Sequence, residues 1–160
     1  MNRIRPLIQA LSLSAAALLS LPALAQVKVE DAWVRATVAQ QKATGAFMVI
    51  TASQNSKLVA ASSPRSPRVE VHEMAMQDNV MRMRQIPALD LPAGKPVELK
   101  PGSYHVMLMD LPQAIQAGEA VPLTLTLEDA QGQRQTVQVQ ATARPLNASG
   151  AKAQGQHGHH

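Results

Sequence analysis

Pro122-Leu-Thr-Leu-Thr-Leu-Glu128 decides the fold: in an extended chain Leu123, Leu125 and Leu127 fall on one side, and Thr124, Thr126 and Glu128 on the other. One face is dry and one wet, the signature of a strand in an antiparallel sheet. Downstream, Ala130-Gln-Gly-Gln133 supplies turn residues, and Thr136-Val-Gln-Val-Gln140 resumes the same period, so the two runs read as a hairpin. Upstream, further short runs of strand character are Val27 to Arg35, Gly45 to Ala52, Leu58 to Ser62, Arg68 to Met74, Val80 to Ile86, Val97 to Lys100 and Tyr104 to Leu111. With Val121 to Glu128 and Gln135 to Ala141 they make a set of short strands suited to a sandwich or barrel. Eleven prolines, among them Pro64, Pro67, Pro87, Pro92, Pro96, Pro101 and Pro112, break the chain too often for long helices. The pattern leaves room for one short helical turn near Gln113 to Ala117.

The N-terminus has the form of an export signal. Arg3 and Arg5 give a positive start, Leu7 to Leu21 is an apolar run, and Ala23-Leu24-Ala25 is a small-x-small cleavage site. The run is interrupted by Gln9, Ser12, Ser14 and Ser20 and ends at Pro22, which argues against a membrane span. The expected organisation is a signal peptide over 1–25, one β-domain over 26–145 and a tail over 146–160, the last rich in Ala, Gly, Gln and His. The expected location is the bacterial periplasm, with no stable membrane insertion after cleavage. Asn147-Ala-Ser149 matches a glycosylation acceptor, a motif of little weight behind a bacterial signal.

About 120 residues between signal and tail suffice for one domain with a real core. Cleavage would remove Arg3 and Arg5 and no acidic residue, lowering the formal charge of +4 by two. With one Trp, one Tyr and one Phe, the chain has no basic and aromatic surface of the kind that binds nucleic acid. It has no cysteine, so disulfides, thiolate ligands and thiol redox chemistry are all excluded.

The chemistry is concentrated in one region. Outside the tail the histidines are His72 and His105, and six of the seven methionines after Met1 fall with them between Val71 and Asp110. The passages are Val71-His-Glu-Met-Ala-Met76, Val80-Met-Arg-Met-Arg84 and Tyr104-His-Val-Met-Leu-Met109. On a strand, residues i and i+2 share a face, so His105 and Met107 point the same way, and Met81 and Met83 face away from Arg82 and Arg84. Single methionines are more often gap-filling core, as Met48 in Ala46-Phe-Met-Val-Ile50 is read here, but clustering with both histidines is not what a randomly packed core shows. Neutral, soft thioethers with borderline imidazoles favour copper(I) over zinc, magnesium or calcium. Thioethers also stay available in an oxidising compartment, where paired thiols close into disulfides. Pro101-Gly102 fits the centre of a type II turn that aims the strand carrying His105.

The spacing of His72, ten residues, Met83, twenty-one residues, His105, one residue, Met107 resembles the signature of the periplasmic copper chaperones called PCu(A)C, as do Val-Glu-Val-His-Glu-Met and Lys-Pro-Gly-Ser-Tyr-His-Val-Met-Leu-Met around it. The resemblance runs from about Val27 to Ala143. It implies a cupredoxin-like Greek-key β-sandwich or barrel, and copper(I) held by His72, Met83, His105 and Met107 at an exposed edge. It also implies delivery to the binuclear copper site of cytochrome c oxidase subunit II, with a Sco-type copper protein as an associated partner. The family pattern allows a methionine directly after the first histidine; here Glu73 stands there, and Met74, on the same strand face as His72, is the auxiliary candidate.

His157, His159 and His160 in the tail form a candidate copper(II) site. A blue-copper electron carrier needs a cysteine thiolate, which is absent. An enzyme is not expected, because there is no nucleophile-and-base constellation, no HExxH and no phosphate loop. Copper storage or sequestration, and a sandwich that binds a partner without metal, are the alternatives to a carrier.

Overall fold

The computed structural model describes residues 26–147, so the expected signal segment and His157, His159 and His160 lie outside the described residues. Ten strands follow one another: β1 (Val27–Arg35), β2 (Thr44–Ala52), β3 (Ser56–Ser62), β4 (Arg68–Gln77), β5 (Val80–Gln85), β6 (Leu89–Leu91), β7 (Val97–Leu99), β8 (His105–Met109), β9 (Ala120–Asp129) and β10 (Arg134–Arg144). They form an open sheet in the order β5-β4-β8-β2-β1-β10-β9-β3-β6, with β7 also on β2. The sheet folds over so that β3 approaches β4 and β6 approaches β2 across the core, which makes a single β-sandwich. Among the described residues no helix is long and apolar enough to cross a membrane.

The alternation in β9 is realised as read. Leu123, Leu125 and Leu127 are at most 1% exposed, and the strand pairs with β10 in unbroken register from Glu128↔Arg134 to Ala120↔Thr142. The hairpin between them closes on Asp129, whose Oδ1 accepts hydrogen bonds from the amides of Gln131 and Gln133, both at 2.9 Å. Val34, Ala46, Ile50, Leu58, Val106 and Leu108 complete the same buried cluster from the other strands. Each fully buried aliphatic side chain contributes about 1.5–3 kcal/mol, which lets a chain without disulfides hold its shape.

Two details differ from the sequence reading. Leu89–Leu91 forms a short strand against β3 although prolines bracket it, because Leu89 and Leu91 both reach the core while Asp90 faces out. The helical turn that the sequence left room for near Gln113 to Ala117 does not form. Ile115 is fully buried and its backbone is tied to Thr37, with Ile115 N donating to Thr37 Oγ1 at 2.8 Å and Thr37 N donating to Ile115 O at 2.8 Å. A tertiary anchor for one apolar side chain overrides the weak local preference for a helical turn.

Candidate metal centre

Local backbone chemistry places the histidines and methionines. Asp78 and Asn79 both have positive φ, 50° and 61°, so a two-residue turn of the primed type joins β4 to β5. Its register sets Met76 opposite Met81, Met74 opposite Met83 and His72 opposite Gln85. Ile86 N donates to Val71 O at 2.9 Å, so these three are the pairs without mutual backbone hydrogen bonds, in which side chains approach most closely.

On its other edge β4 pairs with β8, setting His72 opposite His105 and Glu70 opposite Met107. Strands β7 and β8 both run along β2, at Met48–Ile50 and Thr44–Ala46 respectively, and the chain loops out between them. Gly102 (φ 81°) and the hydrogen bond from Ser103 N to Lys100 O at 3.0 Å turn that loop, the type II geometry expected of Pro101-Gly102. His105 is the first residue back in the sheet.

The face of β4, β5 and β8 that carries these residues is the one turned away from the core, which takes Val71 and Val106 instead. Phe47 of β2 and Trp33 of β1 continue the same face with ring centroids 4.5 Å apart, and Phe47 lies 6.3 Å from the His105 ring. Gly45 makes room for that ring: a Cβ there would come within 2.7 Å of Phe47. Both histidines are only 6% exposed, whereas Met83 on the edge strand is 48% exposed.

Each imidazole has one nitrogen tied down and one left over. His72 Nε2–H donates to Glu70 Oε2 at 2.7 Å, and His72 Nδ1 is buried without any hydrogen-bond partner. His105 Nδ1–H donates to Ser103 O at 3.0 Å, which leaves the Nε2 lone pair facing Met83 Sδ at 3.1 Å. Burial pushes the His105 pKa down, with the Ser103 bond opposing the fall, which favours the neutral ring. The hydrogen bond to His72 holds the Glu70 carboxyl below its usual range against the effect of its own desolvation, and Arg68, 3.2 Å away, adds to the depression. An anchored N–H opposite a free lone pair is how proteins orient metal-binding histidines. Buried polar atoms in folded proteins nearly always have a partner, so the His72 Nδ1 lone pair stands out.

The structure brings three of the four residues singled out by spacing into direct proximity. The His72 and His105 rings are 5.7 Å apart, edge to face, and Met83 touches His105. Met107 follows on the same face of β8 and lines, with His105 and Met74, an open cleft of about 240 Å³. Met74 therefore borders the histidines on one side and Met107 on the other. The expected exposed edge describes Met83 but not the histidines, which the flanking strands and the loop before β8 bury. Glu70, the Ser103 carbonyl and the Gly45–Phe47 contact were not picked out from the sequence. Glu70 had a readable signal, since it stands two residues before His72 on one strand face. Among the described residues no three of His, Cys, Asp and Glu are grouped to hold an ion.

Residues 27–141 match the LpqE-like family, described as "Putative lipoprotein LpqE-like". A relative from Leifsonia xyli, "Putative lipoprotein Lxx21020", is 30% identical over 104 residues, 64% of this chain and 63% of that protein, so the chain spans less than two thirds of that relative's length. Among solved structures, the copper-bound PCuAC domain from PmoF2 aligns with a TM-score of 0.60 at 24% identity, covering 74% of this chain and 92% of that domain. The copper(I) form of DR1885 from Deinococcus radiodurans aligns with a TM-score of 0.56 at 28% identity, covering 84% and 85%. The chain belongs to the LpqE-like family and has the fold of the PCuAC domains.

Proposed function

We propose that this chain is an exported copper(I) carrier that holds one ion through His72, Met83, His105 and Met107 and surrenders it to another protein. What supports the reading most is the meeting of His105 Nε2 with Met83 Sδ at 3.1 Å: two lone-pair donors face each other with no proton to share between them. Two donors bonded to one first-row ion at about 2.0 and 2.3 Å stand roughly 3.5 Å apart, so a small outward movement admits a metal. His72 Nδ1, buried and without a partner, is a third donor, and Met107 a fourth. Neutral nitrogen and sulfur donors select copper(I), and the copper-bound PCuAC neighbours are consistent with that cargo. Met74 is the auxiliary donor on the opposite side of the histidine pair.

A carrier must release as well as hold. Met83 sits half exposed on the edge strand, where an acceptor's ligand can displace it first, while the buried histidines keep the ion. Four protein donors would leave no open position for a substrate, which separates a carrier from a copper enzyme. The periplasm as workplace, and the copper site of cytochrome c oxidase subunit II or a Sco-type protein as acceptor, complete the proposal. The tail histidines His157, His159 and His160 remain proposed copper(II) ligands.

The test is transfer. Copper(I)-loaded protein is mixed with the copper-free soluble domain of oxidase subunit II and the metal is followed after separation. One copper per chain, passing to the acceptor, is expected; retention of copper by this protein, or several ions per chain, would favour storage.

A further inference from the structure

The proposed site uses Met83 and Met107, with Met74 in reserve, and leaves Met76 and Met81 without a role. These two lie directly opposite each other at the tip of the β4–β5 hairpin, one step beyond the Met74–Met83 pair and on the same face. They are 64% and 47% exposed. A core-filling explanation does not apply to side chains so far in water, and burying an exposed apolar pair would normally be favourable. Solubility does not explain them either, since Arg82 and Arg84 already supply charge on the other face of this edge strand.

Geometry joins the pair to the proposed copper site. Met76–Met81, Met74–Met83 and His72–Gln85 are successive pairs of the close-approach type, about 7 Å from one to the next along the strands. The last pair adjoins His105, which stands opposite His72. Thioethers therefore run in an unbroken ladder from the exposed hairpin tip to the buried imidazoles, and along β4 solvent exposure falls from 64% at Met76 to 6% at His72.

We propose that Met76 and Met81 form a second, weaker copper(I) site that takes up the ion at the hairpin tip and feeds it along the Met74–Met83 pair to the histidines; the inference rests on the copper(I) reading of the histidine site. Two thioethers in water bind weakly and exchange quickly. Moving inward adds imidazole nitrogen to the thioethers, first from His105, which meets Met83, and then from His72, so the ion's path is downhill. Copper(I) keeps its oxidation state and its charge throughout, since every donor is neutral and no proton moves.

The experiment compares the full chain with the variant Met76→Leu/Met81→Leu, which removes sulfur and keeps apolar surface. Copper(I) is presented as its bicinchoninate complex, and both the equilibrium affinity and the loading rate are read. Expected are an affinity within twofold of wild type and loading at least fivefold slower. Unchanged loading in a variant that still binds one copper overturns the inference and leaves the histidine site standing. Failure of the wild type itself to take copper(I) overturns both. Loading that is normal from the small chelator but slow from a copper-loaded protein donor makes the pair a docking surface and overturns it as a metal site. Independently, in His72→Ala/His105→Ala the Met76 and Met81 methyl resonances are expected to shift on adding copper(I); methyls that stay in place contradict the ladder.

Discussion

His105 Nε2 and Met83 Sδ meet at 3.1 Å although they are 22 positions apart, because a two-residue turn and a looped-out segment bring β5 and β8 to opposite edges of β4. The contact joins two electron-pair donors, since His105 spends its proton on Ser103 O. Two different turns, one at Asp78-Asn79 and one at Pro101-Gly102, thus converge on a single pair of atoms. The backbone preferences of four residues decide where the donors stand.

Register gives a sharp prediction for the thioether. Met83→Leu should lower copper(I) affinity by tenfold or more. Adding Gln85→Met puts sulfur directly opposite His72 on the same face and should recover part of the loss, whereas adding Arg84→Met puts it on the Glu73 face and should recover none. Chelator competition on the three variants checks this; equal recovery by both second substitutions would show that face does not matter.

Glu70 is a positioning residue. Its carboxylate holds the His72 N–H at 2.7 Å and so keeps Nδ1 free as a lone pair. Glu70→Gln should weaken copper(I) binding by about 10–100-fold, the usual cost of losing such a partner. Nitrogen NMR of the metal-free variant should show His72 shared between tautomers, where wild type shows only the Nδ1 lone-pair form. An unchanged tautomer with reduced affinity would point to a purely structural loss.

Gly45 lets Phe47 lie beside His105. Gly45→Ala forces a ring away from a contact of 2.7 Å and should cost about 1–3 kcal/mol of stability, read from urea denaturation of the metal-free protein. Gly45→Ala combined with Phe47→Leu should recover most of that loss, because the obstructing ring is gone.

Away from the site, Glu119 is held below the usual carboxylate range by its ion pair with Arg65 and by the amide of Gln116. A carboxyl with a depressed folded-state pKa adds stability above its unfolded value, and the gain is lost as pH falls through the folded-state value. Glu119→Gln should therefore melt earlier than wild type at pH 7. The gap should begin to close as pH drops below the ordinary value of 4.5 and vanish in stronger acid. A gap that persists unchanged in acid would mean that the loss has nothing to do with charge.

Much of this was legible in the residues. Period-two alternation in Leu123, Leu125 and Leu127 gave the core face of β9, and the same rule put Met81 and Met83 on one face with Arg82 and Arg84 on the other, as the register has it. Turn chemistry identified Gly102. What stayed hidden depends on long-range contact. The parallel pairing of β1 with β10 joins Trp33 to Thr142, and no local pattern announces it. Ile115 leaves the local helical pattern because its backbone bonds to Thr37, 78 positions away. Burial of the histidines also escaped a reading from spacing, since it depends on neighbours distant in sequence, among them Phe47, whose ring lies 6.3 Å from that of His105.

The most direct test of the central claim is copper K-edge X-ray absorption on the full chain loaded with one equivalent of copper(I). The account predicts a nearest shell of two nitrogen and two sulfur neighbours, falling to one sulfur in Met83→Leu and to one nitrogen in His105→Ala. A shell of nitrogen and oxygen alone, unchanged in both variants, would contradict it.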